Sequence, residues 1–251
     1  LPSSVSTGGS CSSRPSEPIR ANQSDNAHKK VQLWKDGPYW AETNIGAEEP
    51  WELGLYFWWG NTVGYKFENG AWVAGDGSSS NFSFKEANLF SKLFGKKGNI
   101  PTSGKYSADL LNDGWIMQDG VLAPKHDAAQ VQWGGGWRMP TKQELDDLCN
   151  ECDWSRTTIH GIGGYIVRGR GGYASNSIFL PCAGNGYGTS LNCVGSDGRY
   201  WSSVPSSGSD YCSWDLSFGS CYHATVSCYR ATVSCYRSCG LSVRPVQGFT
   251  K

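Results

Sequence analysis

The sequence predicts an α+β fold with few helices, an antiparallel sheet and long irregular loops. Three observations carry that expectation. Only 18% of the 251 residues are charged, while 33 are Gly, 12 Trp and 12 Tyr, a composition of turns and aromatic strand faces. Short β-prone runs recur between Gly, Asn and Asp from Val31 to Val246. One segment, opening at Pro140, carries a full helix-start signal. The length suits one large domain or two small ones and can bury a sizeable core. With 22 basic and 22 acidic side chains the formal net charge is zero, which gives no electrostatic ground for nucleic acid as a partner. The densest apolar stretch, Leu53 to Trp59, is short and carries Gly54, so no transmembrane segment is expected.

Taken in order, residues 1–30 read as a flexible arm. LPSSVSTGGSCSSRPSEP is rich in Ser, Gly and Pro, and IRANQSDNAHKK is polar without periodicity, so neither can bury a core. With no initiator Met, the chain reads as a mature or trimmed form. Residues 31–251 read as a single domain. VQLWKDGPYWAETNIG and LGLYFWWGNTVGYKF suggest strands and turns. Residues 62–125 are expected as long loops, apart from a short helix over Phe84 to Phe94 with apolar positions at Ala87, Phe90, Leu93 and Phe94. In Pro140-Thr141-Lys142-Gln143-Glu144, Thr141 can cap a helix while Glu144 reaches back to it. Leu145, Leu148, Cys149 and Cys152 then share one helical face. Strands are expected at 165–167, 178–180, 200–201, 214–218 and 241–246. Trp214, Leu216 and Phe218 alternate with Asp215 and Ser217, which predicts the first three inward and the other two in water. The heptapeptide ATVSCYR occurs at 224–230 and again at 231–237. It is too short and too few for a solenoid, and reads as a lengthened loop.

The most informative feature is an absence. Lys, Glu, Gln and Met account for 28 of the first 151 residues, and a proportional share of the next 95 would be about 18, yet residues 152–246 contain none. These are residues that no codon ending in C can encode. Trp is excluded from such codons too, so Trp154, Trp201 and Trp214 would be scaffold. A Gly/Ser-rich β region that disfavours long side chains would leave the same gap. Tyr187, Tyr200, Tyr211, Tyr222, Tyr229 and Tyr236 sit among Ser, Gly, Asn and Asp. Tyr offers rigid amphipathic contact area, and small polar residues adapt their hydrogen bonds, as in antibody paratopes.

WGGGWRMPTKQEL (133–145), IFLPCAGNGYG (178–188), VGSDGRYWSS (194–203) and CGLSVRPV (239–246) resemble the Fibrobacter succinogenes major paralogous domain and the C-type-lectin-fold variable proteins of diversity-generating retroelements. The likeness spans roughly residues 31–247. It implies a C-type lectin-like fold in which adenine-directed mutagenesis diversifies surface positions near the C-terminus, here a variable region of about 182–241. Trp201, Ser202, Ser203, Leu216, Phe218, Gly240, Ser242, Val243, Arg244, Pro245 and Val246 match the framework. The resemblance assigns ligand binding to the positions matching diversified ones: Asn185, Tyr187, Asn192, Cys193, Asp197 and Arg199, then Ser206, Ser207, Ser209, Asp210, Tyr211, Cys212, Ser213, Asp215, Ser217, Gly219, Ser220, Cys221, Tyr222 and His223. Tyr236, Ser238, Cys239 and Leu241 follow the duplicated loop. It implies no catalysis, a protein or glycan ligand on another cell or surface, and secretion or display on a cell envelope or virion. Asp210, Tyr211, Tyr222 and Ser238 should then gather on one open patch.

Other chemistry is poorly supported. Cys149-x-x-Cys152 lacks both the second ligand pair of a zinc site and the βαβ setting of a thioredoxin-like motif, and reads as a buried helix face. His28, His126, His160 and His223 have no nucleophile motif nearby, and no catalytic residue is assigned. Asp146 and Asp147 are adjacent on a helix and point different ways, so no metal site and no cofactor is assigned, although backbone carbonyls leave room for a structural calcium. Two alternatives stand beside the binding module. One is an oxidase of the formylglycine-generating type, which shares the Trp-Arg-x-Pro-Thr helix entrance but needs a reactive Cys pair that the sequence alone does not map. The other is an invariant surface adhesion domain.

Overall fold

The computed structural model describes residues 28–78, 102–219 and 229–248. Over these residues the chain is mostly β-sheet with few helices. In chain order come β1 (Lys30–Gln32), β2 (Tyr39–Ala41), β3 (Tyr56–Trp58), β4 (Tyr65–Glu68) and β5 (Ala71–Ala74). Then follow α1 (Ser107–Asn112), α2 (Ala128–Trp133), β6 (Trp137–Arg138), α3 (Lys142–Glu151), β7 (Asp153–Ile159), β8 (Ile162–Arg168) and β9 (Ser177–Pro181). The C-terminal part holds β10 (Asn185–Tyr187), β11 (Ser190–Asn192), β12 (Asp197–Pro205), β13 (Cys212–Gly219), β14 (Tyr229–Tyr236), β15 (Cys239–Ser242) and β16 (Val246–Gln247).

These strands make three sheets. The largest runs β14-β13-β12-β15-β3-β4-β5, with β10 and β11 attached through β15; β1-β2-β16-β6 and β7-β8-β9 are the others. Pairing is antiparallel except between β12 and β15, which run parallel at Tyr200 and Ser242. That corrects the purely antiparallel expectation, and the reason is topological. β13 runs opposite to β12 and β14 opposite to β13, so β14 runs with β12, and β15 keeps that direction on the far side of β12.

Two further expectations change. Residues 62–125 contain β4, β5, α1 and a 3-10 turn at Pro124–His126, not loops alone; the short strands there alternate too briefly to announce themselves. The helix expected over Phe84 to Phe94 lies outside the described residues. At the arm's boundary, Lys30 already belongs to β1 and the His28 ring stacks on Trp133 with centroids 3.6 Å apart.

The helix α3 forms as its sequence directs. The Glu144 N–H donates to Thr141 Oγ1 at 3.2 Å, and the Thr141 N–H donates to Glu144 Oε2 at 2.8 Å, completing the capping box. Glu144 also takes a bidentate pair of hydrogen bonds from Arg138, which fastens β6 to the helix start. Leu145, Leu148 and Cys152 are buried and Cys149 half-buried. They pack with Tyr165, Val167, Tyr200, Leu216 and Phe218 in one core cluster. A second cluster, around Trp59, Trp201, Phe57 and Leu241, fills the opposite face of the large sheet. The β7–β8 hairpin turns through His160 and Gly161, both at positive φ, with Ile159 paired to Ile162. This is the two-residue geometry that matches strand twist.

Indole N–H groups staple the sheet across long sequence separations. Trp59 donates to the Ser202 carbonyl at 2.9 Å, Trp201 to Phe57 at 2.8 Å and Trp58 to Ser238 at 2.9 Å. Each puts a large apolar body in the core while satisfying its one polar atom.

Candidate ligand-contact surface

The eleven framework positions, Trp201 through Val246, are all buried. Arg244 shows how a charge can be among them. Its Nε donates to Asn44 Oδ1 at 2.9 Å, Nη1 to the Ala41 and Glu42 carbonyls, and Nη2 to Phe179 O at 2.9 Å. Burial pulls its pKa down to about 10, against the pull of Tyr200 and Glu42, and the ring of acceptors compensates the buried cation.

The expected contact positions divide into three groups. The first gathers on two turns. Ser206, Ser207, Ser209, Asp210 and Tyr211 connect β12 to β13, and Tyr236 and Ser238 flank the turn from β14 to β15. Cys212 pairs with Tyr236, and the Arg237 N–H donates to the Tyr211 carbonyl at 2.8 Å, so the two turns are neighbours. Ser206 and Ser209 shape the first turn, accepting from the N–H groups of Gly208 and Tyr211. Ser207 and Tyr236 are exposed, and Ser209, Asp210 and Tyr211 half-buried. Ser206, Cys212, Ser213 and Ser238 are buried. Ser238 therefore does not join Asp210 and Tyr211 on an open patch, because the Trp58 indole binds its carbonyl and holds it in the core.

Arg237, which the sequence reading did not single out, organises this group. Its guanidinium lies 4.9 Å over the Trp59 ring. Nε donates to Ser213 Oγ, and Nη1 to the carbonyls of Thr102, Lys105 and Asp210. Burial lowers its pKa to about 10. Residues 102–106 are thereby clamped beside the two turns. The Gly104 N–H donates to Asp210 O at 3.1 Å, and a Cβ at Gly104 would sit 3.2 Å from the Tyr211 ring. Tyr106 is 63% exposed and its hydroxyl donates to the Asp210 carboxylate, which raises the phenol's pKa. No local sequence signal ties Tyr106 to residue 210; only chain return joins them.

The second group lies along the large sheet. Arg199 Nε donates to Asp215 Oδ2 at 2.9 Å, and Arg199 faces Ser217 across the β12–β13 ladder. Asp215 is fully buried, which corrects the outward orientation expected for it. The period of two was right, since Leu216 and Phe218 face α3 and the β7-β8-β9 sheet. Its other face is covered as well: Trp201 pairs with Asp215 across the ladder and lies with Cys235 and Cys239 in the second core cluster. Trp214 itself is only half-buried, with Lys142 Nζ 4.8 Å over its ring. Burial pushes the Asp215 carboxyl up to about 7 against the pull of Arg199, while its Oδ1 finds no hydrogen-bond partner among the described residues. Ser217 and Arg199 are half-buried at the rim. Cys239 is buried beside Tyr187, its partner in the β10–β15 ladder, and Tyr187 is half-buried.

The third group sits where β12 begins. Asn185 pairs with Asn192 in the β10–β11 hairpin; Asn192 is half-buried and Asn185 buried. Cys193 is disulfide-bonded and half-buried, and Asp197 is buried. Gly219 cannot vary freely. Its φ is +127° and a Cβ there would lie 2.2 Å from the Ser196 carbonyl oxygen. Leu241 is fully buried against the Trp59 cluster and belongs with the framework. Tyr200 is core too, its hydroxyl donating to Pro181 O at 2.7 Å. Ser220, Cys221, Tyr222 and His223 lie outside the described residues, as does the Tyr229 side chain.

Elsewhere, a cleft of about 620 Å³ is lined by Trp51, Glu48, Glu52, Leu53, Lys66 and Ile162, none of them an expected contact position. Among the described residues no three His, Cys, Asp or Glu side chains gather as metal ligands, and no helix is long and apolar enough to cross a membrane. Cys149 and Cys152 are thiols whose pKa values burial pushes to about 11 and about 12. Cys235 and Cys239 are buried thiols of one core cluster, and the Cys235 pKa is raised by its interaction with Cys239 and by burial. Compared with protein-family models, curated proteins and solved structures, the chain matches none.

Proposed function

We propose that this chain is a non-catalytic ligand-binding protein of C-type lectin-like fold, secreted or surface-displayed, whose C-terminal turns are diversified by a retroelement. Its ligand is a protein or glycan on another cell or surface. The contact set is narrower than the sequence suggested. Ser207, Ser209, Asp210, Tyr211 and Tyr236 form its centre, with Tyr106 and Lys105 as fixed neighbours. Tyr187, Asn192, Arg199 and Ser217 are half-buried positions elsewhere on the sheet. The observation that carries the reading is the joining of two turns, rich in Tyr, Ser and Asp, through the backbone N–H and the guanidinium of Arg237. Tyr at such a place supplies contact area with little loss of rotamer freedom, and Ser and Asp supply adaptable hydrogen bonds. The buried framework beneath can hold the main chain while exposed side chains change, since surface substitutions usually cost within about ±0.5 kcal/mol.

Sequencing this locus in sister isolates tests the proposal. Non-synonymous differences should concentrate at Ser207, Ser209, Asp210, Tyr211 and Tyr236, with Trp201, Leu216, Phe218 and Arg244 constant. Identical C-terminal halves would favour the invariant adhesion domain, and evenly scattered differences would remove diversification. The Cys235–Cys239 pair gives the oxidase alternative the two thiols it lacked. Both are 4% exposed, and the Cys235 pKa stands well above the ordinary thiol value, raised by its interaction with Cys239 and by burial. A group so placed neither ionises readily nor meets a substrate, so the binding reading is preferred.

A further inference from the structure

The cleft of about 620 Å³ shares no residue with the two turns, and it is assembled from three segments distant in sequence: residues 46–54, Lys66 of β4 and Ile162 of β8. Its first wall is a fastened loop. The Leu55 N–H donates to Ile45 O at 2.8 Å and Asn44 Nδ2 to Leu53 O at 3.0 Å, which closes the loop at its neck, and buried Arg244 holds Asn44 Oδ1. Within the loop Glu52 Oε2 accepts from the N–H groups of Glu48 and Glu49, at 2.7 and 3.2 Å. The Glu52 side chain is thereby fixed, and its Oε1 stays without a protein partner among the described residues. Trp51 is half-buried, and the ring of His160, from the β7–β8 turn, lies 4.2 Å from its own and braces it. Glu48 and Lys66 are exposed, and among the described residues neither they nor Glu52 enters an ion pair.

We propose that this cleft is a second binding site, which takes an uncharged oligosaccharide. The chemistry of the walls selects the ligand. An indole face attracts the C–H face of a sugar ring, and Leu53 and Ile162 extend the apolar surface. The Glu48 and Glu52 carboxylates accept hydrogen bonds from hydroxyl groups and the Lys66 ammonium donates to them, and such charge-assisted bonds are strong. Charges of both signs in one cleft also exclude. An anionic ligand meets two carboxylates, and a cationic one meets Lys66 while half of the Glu52 carboxylate is already committed to the loop. A wholly apolar ligand would strip water from all three charges without replacing it. A neutral molecule that donates and accepts around an apolar face meets none of these penalties. The volume lies within the range of small-molecule sites, about 300–1,000 Å³, and is larger than one sugar ring needs. Because the loop is braced in advance, little ordering remains for binding to impose. The site stands independently of whatever the turns at Ser207 and Tyr236 bind.

The test applies the full chain to an array of immobilised neutral, acidic and amino-sugar oligosaccharides, and then titrates the best-bound structure as the free oligosaccharide. Neutral oligosaccharides should bind, and the free form should bind as the immobilised one does, which assigns recognition to the sugar and not to its carrier. Trp51→Ala should weaken binding at least about tenfold, with Trp51→Phe keeping part of it, and Glu48→Ala should weaken it at least about threefold. Ser207→Ala and Tyr236→Ser should leave it unchanged, so failure here is distinct from failure of the contact turns. In two-dimensional NMR the Trp51 indole signal, assigned by its loss in Trp51→Phe, should move on titration. The proposal is overturned by preference for acidic or amino sugars, by binding to the immobilised form alone, or by no binding on the array. Full binding in Trp51→Ala with an unmoved indole signal overturns it as well.

Discussion

Arg244 and Arg237 stand seven residues apart, both fully buried, and each feels one carboxylate without a salt bridge to it, Glu42 for Arg244 and Asp210 for Arg237. Arg244, in the framework, has each of its three nitrogens on an acceptor. Arg237, under the contact turns, leaves Nη2 without one. The same contrast runs through the two regions. Asn185 Oδ1, Asp215 Oδ1 and Ser238 Oγ, all at expected diversified positions, are buried and without a partner among the described residues, whereas the framework set leaves only Ser242 Oγ so. Unpaired buried polar atoms each cost about 1–3 kcal/mol. The difference teaches that a buried guanidinium can be held with every nitrogen on an acceptor, as in Arg244, or with one nitrogen left over, as in Arg237.

The largest expected effect breaks the fully bonded side. Arg244→Met strands the acceptors of Asn44, Ala41, Glu42 and Phe179, and should lower stability by at least about 3 kcal/mol in urea denaturation. Arg237→Met should cost less, since one of its nitrogens is already unsatisfied, and should speed hydrogen exchange in residues 102–106. Equal losses in the two variants would erase the contrast.

Asp215 gives a pH signature. Its folded pKa, about 7, is above the unfolded carboxylate value, so the folded state holds the proton more tightly than the unfolded one. Its contribution is therefore most favourable below the unfolded pKa near 4, declines as pH rises toward 7, and is flat above that. Thermal or urea unfolding at pH 5 and pH 8 should differ by about 2 kcal/mol more in the native chain than in Asp215→Asn. An unchanged slope in the variant would show that Arg199 keeps Asp215 ionised throughout.

Smaller effects are expected in the contact region. Deleting residues 224–230 removes the first copy of ATVSCYR and leaves the second, which holds β14 from Ala231 onward. The deletion should fold and change stability by no more than about 1 kcal/mol, because loop-closure entropy varies slowly with length; calorimetry would show it. Smallest of all, Ser207→Ala and Tyr236→Ser should stay within about ±0.5 kcal/mol.

Local rules were enough for several elements. Thr141 and Glu144 announced α3, and the alternation at Trp214, Leu216 and Phe218 announced β13 and one of its buried sides. β14 was read as a loop, because the duplicated ATVSCYR suggested an insertion and only pairing with β13 makes its second copy a strand. Composition alone marked Tyr211 and Tyr236 as Tyr among Ser, Gly, Asn and Asp, and only the resemblance singled out Ser207 and Asp210. Asp215, Ser238 and Leu241 were misplaced, because a period of two says that side chains alternate without saying whether the second face is covered.

By itself, then, the sequence determined what short-range chemistry can determine: helix capping, strand alternation, glycine turns, and the composition that sets residues 152–246 apart. Only the tertiary structure decided which strand lies inside the sheet and that Arg237 binds residues 102–105 to residue 210. Those depend on contacts between residues distant in sequence or on both faces of one strand at once, and burial is a property of the neighbours that arrive, not of the residue that waits for them.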